Sequence, residues 1–380
     1  MAAHSTAEIE QTFKISQEGG VTIFEPQVRQ DGVQLFIAND GPLQLARPGN
    51  GGMRLLEYPD EKTAIADAVR LAEGMTRKHN CYNTGFSGAK LVVRCSEEVT
   101  PKSVDRLSLM EDCADALEAL QGTVWTGCDL NTTGDDMDML VDKTPYVLAG
   151  LGSKVDTNIA TAMTTVGSIL GLVDAHCIDI NTQTFMVQGC GKVGMHVART
   201  LVSLGAKKVL TCDISEERAN IEGCTPLSSS ENWYDQDVDF LVPCANSLAI
   251  NERVLQRMPP PSFVVGATNQ PFSSHAVRDA FDKNGALHIP ESISSGGAIM
   301  ADSIEWALPK LFRTVEPQLV YDWILDVSKA KSKELSLRAE NEALNIKRVV
   351  DCVYEGSDTV PVGLRFPDWL RENGHEVQTE

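Results

Sequence analysis

Lys90 closes a stretch rich in small residues (Gly85, Ser87, Gly88 and Ala89) and leads directly into Leu91-Val92-Val93. Small residues ahead of a lysine let another molecule approach its amine, so Lys90 reads as a candidate base at the mouth of a strand. Taken alone, the stretch reads more simply as a tight turn before a strand with a lysine at its edge, because short patterns are loosely specific. A lysine acts as a base near neutral pH only if its pKa is depressed, which burial or a neighbouring cation achieves. Lys78, three residues past Met75 and close to an apolar helical stripe, either snorkels to solvent or meets an anion.

A second constellation is more specific. The run TFMVQ leads into GCGKVG, so Gly189, Gly191 and Gly194 stand in the G-x-G-x-x-G spacing with Lys192 and Val193 between them. A helical segment follows, and then KKVLTCD, which ends on Asp213, 22 residues after Gly191. The glycines serve a tight turn, close approach of backbone to a pyrophosphate, and contact between helix and strand. The helix N-terminus supplies N–H groups for the phosphates, and the acid accepts ribose hydroxyls. A strand before, a helix after and an acid closing the next strand make this a dinucleotide site. Asp213, followed by Glu216 and Glu217, should repel a 2′-phosphate, so NAD is expected rather than NADP.

These residues need elements to position them. Residues 60–78 form the clearest helix, with Ile65, Ala68, Val69, Ala72 and Met75 on one stripe. Short runs such as VQLFIA (33–38) and KLVVR (90–94) read as strands. From about 156 to 325, TFMVQ, KKVLTCD, DFLVPC, SFVVG and ALHI are separated by helix-length stretches, the signature of a parallel sheet with crossover helices. The last part is helical, with an amphipathic stretch through Leu335, Leu337, Leu344, Ile346, Val349 and Val350.

Composition bounds the rest. The 380 residues suggest two domains, and 42% hydrophobic with 23% charged residues is ordinary for a globular chain. A net charge of −20 argues against nucleic acid or an anionic membrane as partner. No apolar run long enough to span a membrane stands out, and the N-terminus has neither the basic nor the apolar part of a signal peptide. Ten scattered cysteines show no metal-ligand spacing, so we expect no metal site and a reducing, cytoplasmic compartment.

Read together, the segments resemble the glutamate/leucine/phenylalanine/valine dehydrogenase family, closest to its leucine and phenylalanine (tryptophan) branch. NGGMR (50–54), GMTRK (74–78), SGAK (87–90), CDLNTTGDDMD (128–138), ATA (160–162), GCGKVG, PCA (243–245), GATNQ (266–270), ISSGG (293–297) and LRENGHE (370–376) follow in the family's order. The resemblance implies an α/β fold of two domains with a cleft. An N-terminal substrate domain (1–155) would precede a Rossmann-type NAD-binding domain (156–325), with C-terminal helices (326–380) packing back on the first. It implies reversible oxidative deamination of a hydrophobic or aromatic L-amino acid by a homo-oligomer. Lys90 would be the catalytic amine, Asp129 its acid–base partner and Lys78 the carboxylate anchor. Asn50, Gly51, Gly88 and Ser294 would border the substrate. Thr161, Asn269, Cys244, Ala245 and Asn246 would border the cofactor.

Departures from the family pattern stand at Ser294 for an asparagine, Ser87 and Ala89 for glycines, Arg77 for a tyrosine and Asn131 for a glycine. Asn50 and Gly127 match apolar positions, which suggests a roomier, more polar pocket and a preference for aromatic or polar-tipped amino acids. An NAD-binding relative without turnover is the alternative. A 2-hydroxy-acid dehydrogenase would want a histidine-centred site, which the sequence does not offer.

Overall fold

The computed structural model describes residues 9, 11–148, 150, 152–228, 232–342, 345–353 and 360–377. They fall into two compact units. The first comprises the described residues up to Ser153 with Asp302–Thr314 and Val360–Arg365; the second comprises the remainder.

The first unit is built on a six-stranded sheet in the order β1-β2-β3-β5-β4-β6: β1 (Phe13–Glu18), β2 (Val21–Pro26), β3 (Val33–Asp40), β4 (Gly49–Glu57), β5 (Ser87–Cys95) and β6 (Val124–Cys128). β5 runs antiparallel to β3 and parallel to β4, which is itself parallel to β6. Both faces of this sheet are covered, which is why β5 reads as a continuous apolar run rather than an alternation. Leu35, Ile37, Met53, Leu55, Leu91 and Val93 pack on helix α2 (Arg106–Ala119) through Leu109, Met110, Cys113 and Leu117. On the other face Phe36, Ala38 and Val92 meet Ala64, Ala68, Val69 and Ala72 of helix α1 (Glu61–Tyr82); Ala68, Val69 and Ala72 belong to the stripe expected from the sequence, whereas Ile65 and Met75 are only partly buried. Asp60 caps the start of α1 by accepting Thr63 N–H, and Asn83 ends it in the left-handed conformation at φ 49°.

The second unit holds six parallel strands in the order β12-β11-β10-β7-β8-β9. They are β7 (Thr184–Gln188), β8 (Lys208–Cys212), β9 (Thr225–Pro226), β10 (Phe240–Pro243), β11 (Phe263–Val264) and β12 (Leu287–His288). Counted from β7, this is the doubly wound Rossmann arrangement, whose ligand crevice lies where strand order reverses, between β7 and β10.

Among the C-terminal helices, α7 (Pro317–Glu342) lies along α4 (Thr157–Ala175) in the second unit. The cause is a small-residue seam. A Cβ at Gly167 would stand 2.5 Å from Leu325 O, and one at Gly171 2.5 Å from Lys329 O, so only glycines allow the two backbones this close. The segments that do join the first unit are shorter. Ser303 Oγ donates to Thr84 O at 2.7 Å, Gly363 N–H donates to Ser303 Oγ at 3.0 Å, and Val362 N–H donates to Asn83 O at 2.7 Å. Of the expected amphipathic stripe, Leu335 is buried, Leu337 is exposed and Leu344 lies outside the described residues. By length and composition α4 could cross a membrane, contrary to the sequence reading, but 67% of that window is buried inside the protein.

Candidate active site

Register places the chemistry. Asn50 pairs with Gly88 across β4 and β5, and Lys90 lies one pleat further on the same face. β4 also pairs with β6, so the chain leaving β6 brings Asp129 beside that face. The turn after Asp129 is pinned to β4: Thr132 Oγ accepts Asp129 N–H at 2.8 Å and donates to Met53 O, and Asn131 Nδ2 donates to Leu55 O at 2.9 Å. Asn131 sits at φ 58°, which accounts for the family's glycine there, since asparagine tolerates this conformation better than most residues.

Lys90 is 5% exposed, and its Nζ lies 2.6 Å from Asp129 Oδ2. That oxygen also accepts from Arg54 Nε at 2.9 Å. Arg54 continues to Asp67 at 3.2 Å, and Asp67 accepts Tyr58 OH at 2.7 Å and pairs with Arg70. Burial pulls the Lys90 amine below the ordinary lysine range; Asp129 pulls it back up without cancelling the effect, and Arg54 adds to the lowering. Burial pushes Asp129 the other way, but Lys90 and Arg54 together hold its carboxyl below the usual value. A poorly solvated amine beside a carboxylate held in its charged form makes a candidate acid–base pair. Lys78, half-buried, lies on α1 two residues beyond Thr76, whose hydroxyl accepts Gly88 N–H at 3.0 Å.

Several expected substrate contacts take other roles. A Cβ at Gly88 would stand 2.1 Å from Ala72 O, so this glycine admits α1 rather than a ligand. A Cβ at Gly127 would stand 2.2 Å from Leu148 O, so no added room is found there. Gly51 faces Ala89 O in the same way, at 1.7 Å. Asn50 is 1% exposed and its Oδ1 has no hydrogen-bond partner, while its amide bonds the Asp302 carboxyl. Poor solvation, with Glu305 adding, holds Asp302 well above the usual carboxylate range; the Asn50 amide opposes this. Ser294, in the second unit, is fully buried and donates to Gly266 O at 2.6 Å, so its hydroxyl fastens that loop instead of facing a substrate.

The dinucleotide motif has the geometry its spacing requires. Gly189 has φ 94°, and a Cβ there would stand 2.6 Å from Ala245 N; a Cβ at Gly194 would stand 1.9 Å from Gly189 O. Around Gly191 a Cβ would meet nothing within 4 Å, which leaves the backbone open to a phosphate. Helix α5 (Gly194–Ser203) begins after Lys192 and Val193 with no side chain capping its N–H groups, as an anion site needs. Asp213 follows β8, Cys244, Ala245 and Asn246 follow β10, and Asn269 follows β11, all at the carboxyl ends of the strands. Thr161, on α4, donates to Thr157 O at 2.8 Å. These residues fit a dinucleotide.

The family model for the Glu/Leu/Phe/Val dehydrogenase dimerisation domain matches residues 43–146, and that for Glutamate/Leucine/Phenylalanine/Valine dehydrogenase matches residues 213–356. The chain belongs to this family. It is therefore an amino acid dehydrogenase, an oxidoreductase acting on a carbon–nitrogen centre. Phenylalanine dehydrogenase of Bacillus thermotolerans is 28% identical over 298 residues, 74% of this chain and 76% of that protein. The crystal structure of L-tryptophan dehydrogenase from Nostoc punctiforme superposes with TM-score 0.69 at 21% identity, covering 92% of this chain and 97% of that one. Hetero-hexameric glutamate dehydrogenase from Thermus thermophilus gives TM-score 0.70 at 18% identity, covering 98% and 95%.

Sequence reasoning missed several residues of this amino acid dehydrogenase. Arg54, the second partner of Asp129, was within the quoted NGGMR, but nothing in its spacing tied it to residue 129. His79 is fully buried, with Nε2 donating to Asn50 O at 3.2 Å and Nδ1 accepting from Thr84 Oγ at 2.7 Å. Burial drops it to about 3, so it stays neutral and braces the strand that carries Asn50. Asp302 could be found only once helix α6 (Gly297–Ala307) was known to bring it to Asn50.

Proposed function

We propose that this amino acid dehydrogenase uses NAD to convert a hydrophobic or aromatic L-amino acid reversibly to its 2-oxo acid and ammonia. The observation that carries the reading is the buried Lys90–Asp129 pair, 2.6 Å apart and braced by Arg54. Bound NAD supplies a hydride acceptor for the substrate α-carbon. Oxidation of an amine at that carbon leaves an iminium that water must attack, and a base must take the water's proton. Lys90 is suited to this because its enclosure favours the uncharged amine. Asp129 steadies the lysine once protonated and offers a route for the second proton. Lys78 anchors the substrate carboxylate as a cation at the end of α1. The open backbone at Gly191 and the uncapped start of α5 receive the pyrophosphate.

For side-chain choice, the buried Asn50 amide and the Asp302 carboxyl put hydrogen-bonding groups where an apolar pocket would have none. They favour a ring bearing a polar atom, such as an indole N–H, over a plain aliphatic chain. The free cysteines among the described residues support a reducing, cytoplasmic setting, and the match to a dimerisation domain supports a homo-oligomer. The decisive experiment incubates the protein with a panel of L-amino acids and NAD⁺ and follows NADH absorbance. Turnover with aromatic or branched substrates is the expected result; NADH binding without turnover of any member would favour a binding role instead.

A further inference from the structure

The carboxylate that closes β8 is already occupied. Asp213 Oδ2 accepts Cys190 N–H at 2.8 Å; Oδ1 accepts Ser215 N–H at 2.9 Å and two nitrogens of Arg218, Nε at 3.0 Å and Nη2 at 2.6 Å. The Asp213 side chain is 8% exposed, whereas that of Arg218 is 51% exposed and lies on its solvent side. Between them Ile214 is 97% exposed, an apolar surface of the kind a purine ring covers.

A carboxylate selects an unmodified ribose in two ways: it accepts the diol hydroxyls, and its charge repels a 2′-phosphate. Both are weakened here. Backbone and guanidinium donors hold most of its lone-pair sites, and the Arg218 cation offsets its charge. The guanidinium is also the group best suited to meet a phosphate, through charge-assisted and bidentate bonds. Glu216 and Glu217, counted in the sequence as further repulsion, are exposed on the short helix Glu216–Ala219, where solvent screens them.

We propose that Arg218 is a specificity-determining residue of the dinucleotide site, giving the protein substantial affinity for a 2′-phosphorylated adenosine that Asp213 alone would exclude. The inference rests on the dinucleotide reading above and narrows its preference for NAD without reversing it. The test is calorimetric titration of the full chain with ADP and with 2′,5′-ADP, for wild type, Arg218→Ala and Arg218→Lys. Wild type should bind the two ligands within about tenfold of each other. Arg218→Ala should weaken 2′,5′-ADP by about tenfold or more, roughly 1.4 kcal/mol, while ADP is unchanged or tighter because the carboxylate is released. Arg218→Lys should retain part of the 2′-phosphate affinity. Equal effects of Arg218→Ala on both ligands, or none on either, overturn the proposal. Failure of wild type to bind ADP would overturn the dinucleotide reading itself, and the proposal with it.

Discussion

Lys90 Nζ and Asp129 Oδ2 lie 2.6 Å apart although they come from β5 and from the turn after β6, with β4 between them in the sheet. Arg54 of β4 reaches the same carboxylate oxygen at 2.9 Å, so one strand braces a pair formed by its two neighbours. Lys90→Ala should lower kcat by about 10²–10⁴-fold, the usual worth of a positioned base. ADP affinity should not change, since its site is in the other unit. Lys78→Ala should instead raise KM for the amino acid with a smaller effect on kcat. Near-normal turnover by Lys90→Ala with its best substrate would remove the lysine from the mechanism.

Asp129→Asn separates placement from charge. The carboxylate holds the Lys90 pKa up, against burial and Arg54. Removing its charge should lower that pKa further, so the rise of kcat/KM with pH should begin at lower pH, on a reduced plateau. A pH profile from 6 to 10 for both proteins would show it; an acid limb that moves upward contradicts the electrostatic account.

Asn50→Leu addresses side-chain choice. The amide is fully covered and its Oδ1 lacks a partner, a defect that costs about 1–3 kcal/mol when a buried polar atom is left unpaired. The leucine variant should shift kcat/KM toward leucine and valine and away from tryptophan and phenylalanine. If wild type already prefers leucine and the ranking survives the substitution, Asn50 and Asp302 play no part in selection.

His79 makes stability depend on pH in a definite direction. It is held neutral in the fold, at about 3, whereas an unfolded histidine protonates near its ordinary 6.5. Its contribution is therefore intact above pH 6.5 and declines as pH falls from there toward 3, by at most about 1.4 kcal/mol per unit. His288, lowered to about 4 chiefly by burial, acts with the same sign. Urea unfolding between pH 7 and 5 should show a falling midpoint in wild type and a shallower fall in His79→Gln. Parallel slopes would mean that His79 is not buried neutral.

Much of this was legible in the chain. Alternating apolar runs and helix-length gaps specified the parallel sheet, and glycine spacing with Asp213 located the dinucleotide loop. Lys90 and Asp129 came from family-like segments, and the register of β5, β4 and the turn after β6 brings them together. Roles that depend on what packs over a residue were not legible. Gly88 and Gly127 look permissive to a ligand until the carbonyls of Ala72 and Leu148 are seen filling that space. Ser294 looked like a ligand contact until Gly266 was found to hold its hydroxyl. Arg218 stood five residues from Asp213 in plain view, yet sequence does not say that a short helical turn folds it back on that carboxylate.

The glycine contacts in the first sheet also restrict how the enzyme can be re-engineered. At Gly51, Gly52, Gly88 and Gly127 any side chain would collide with backbone that has no means of yielding. Saturation libraries at these four positions should return almost nothing but wild type among folded clones. Diversity should be concentrated instead at Asn50 and Asp302, where side chain meets side chain and a change in one can be matched by the other. A library varying these two positions together, screened across the amino-acid panel, tests whether the pair sets side-chain choice.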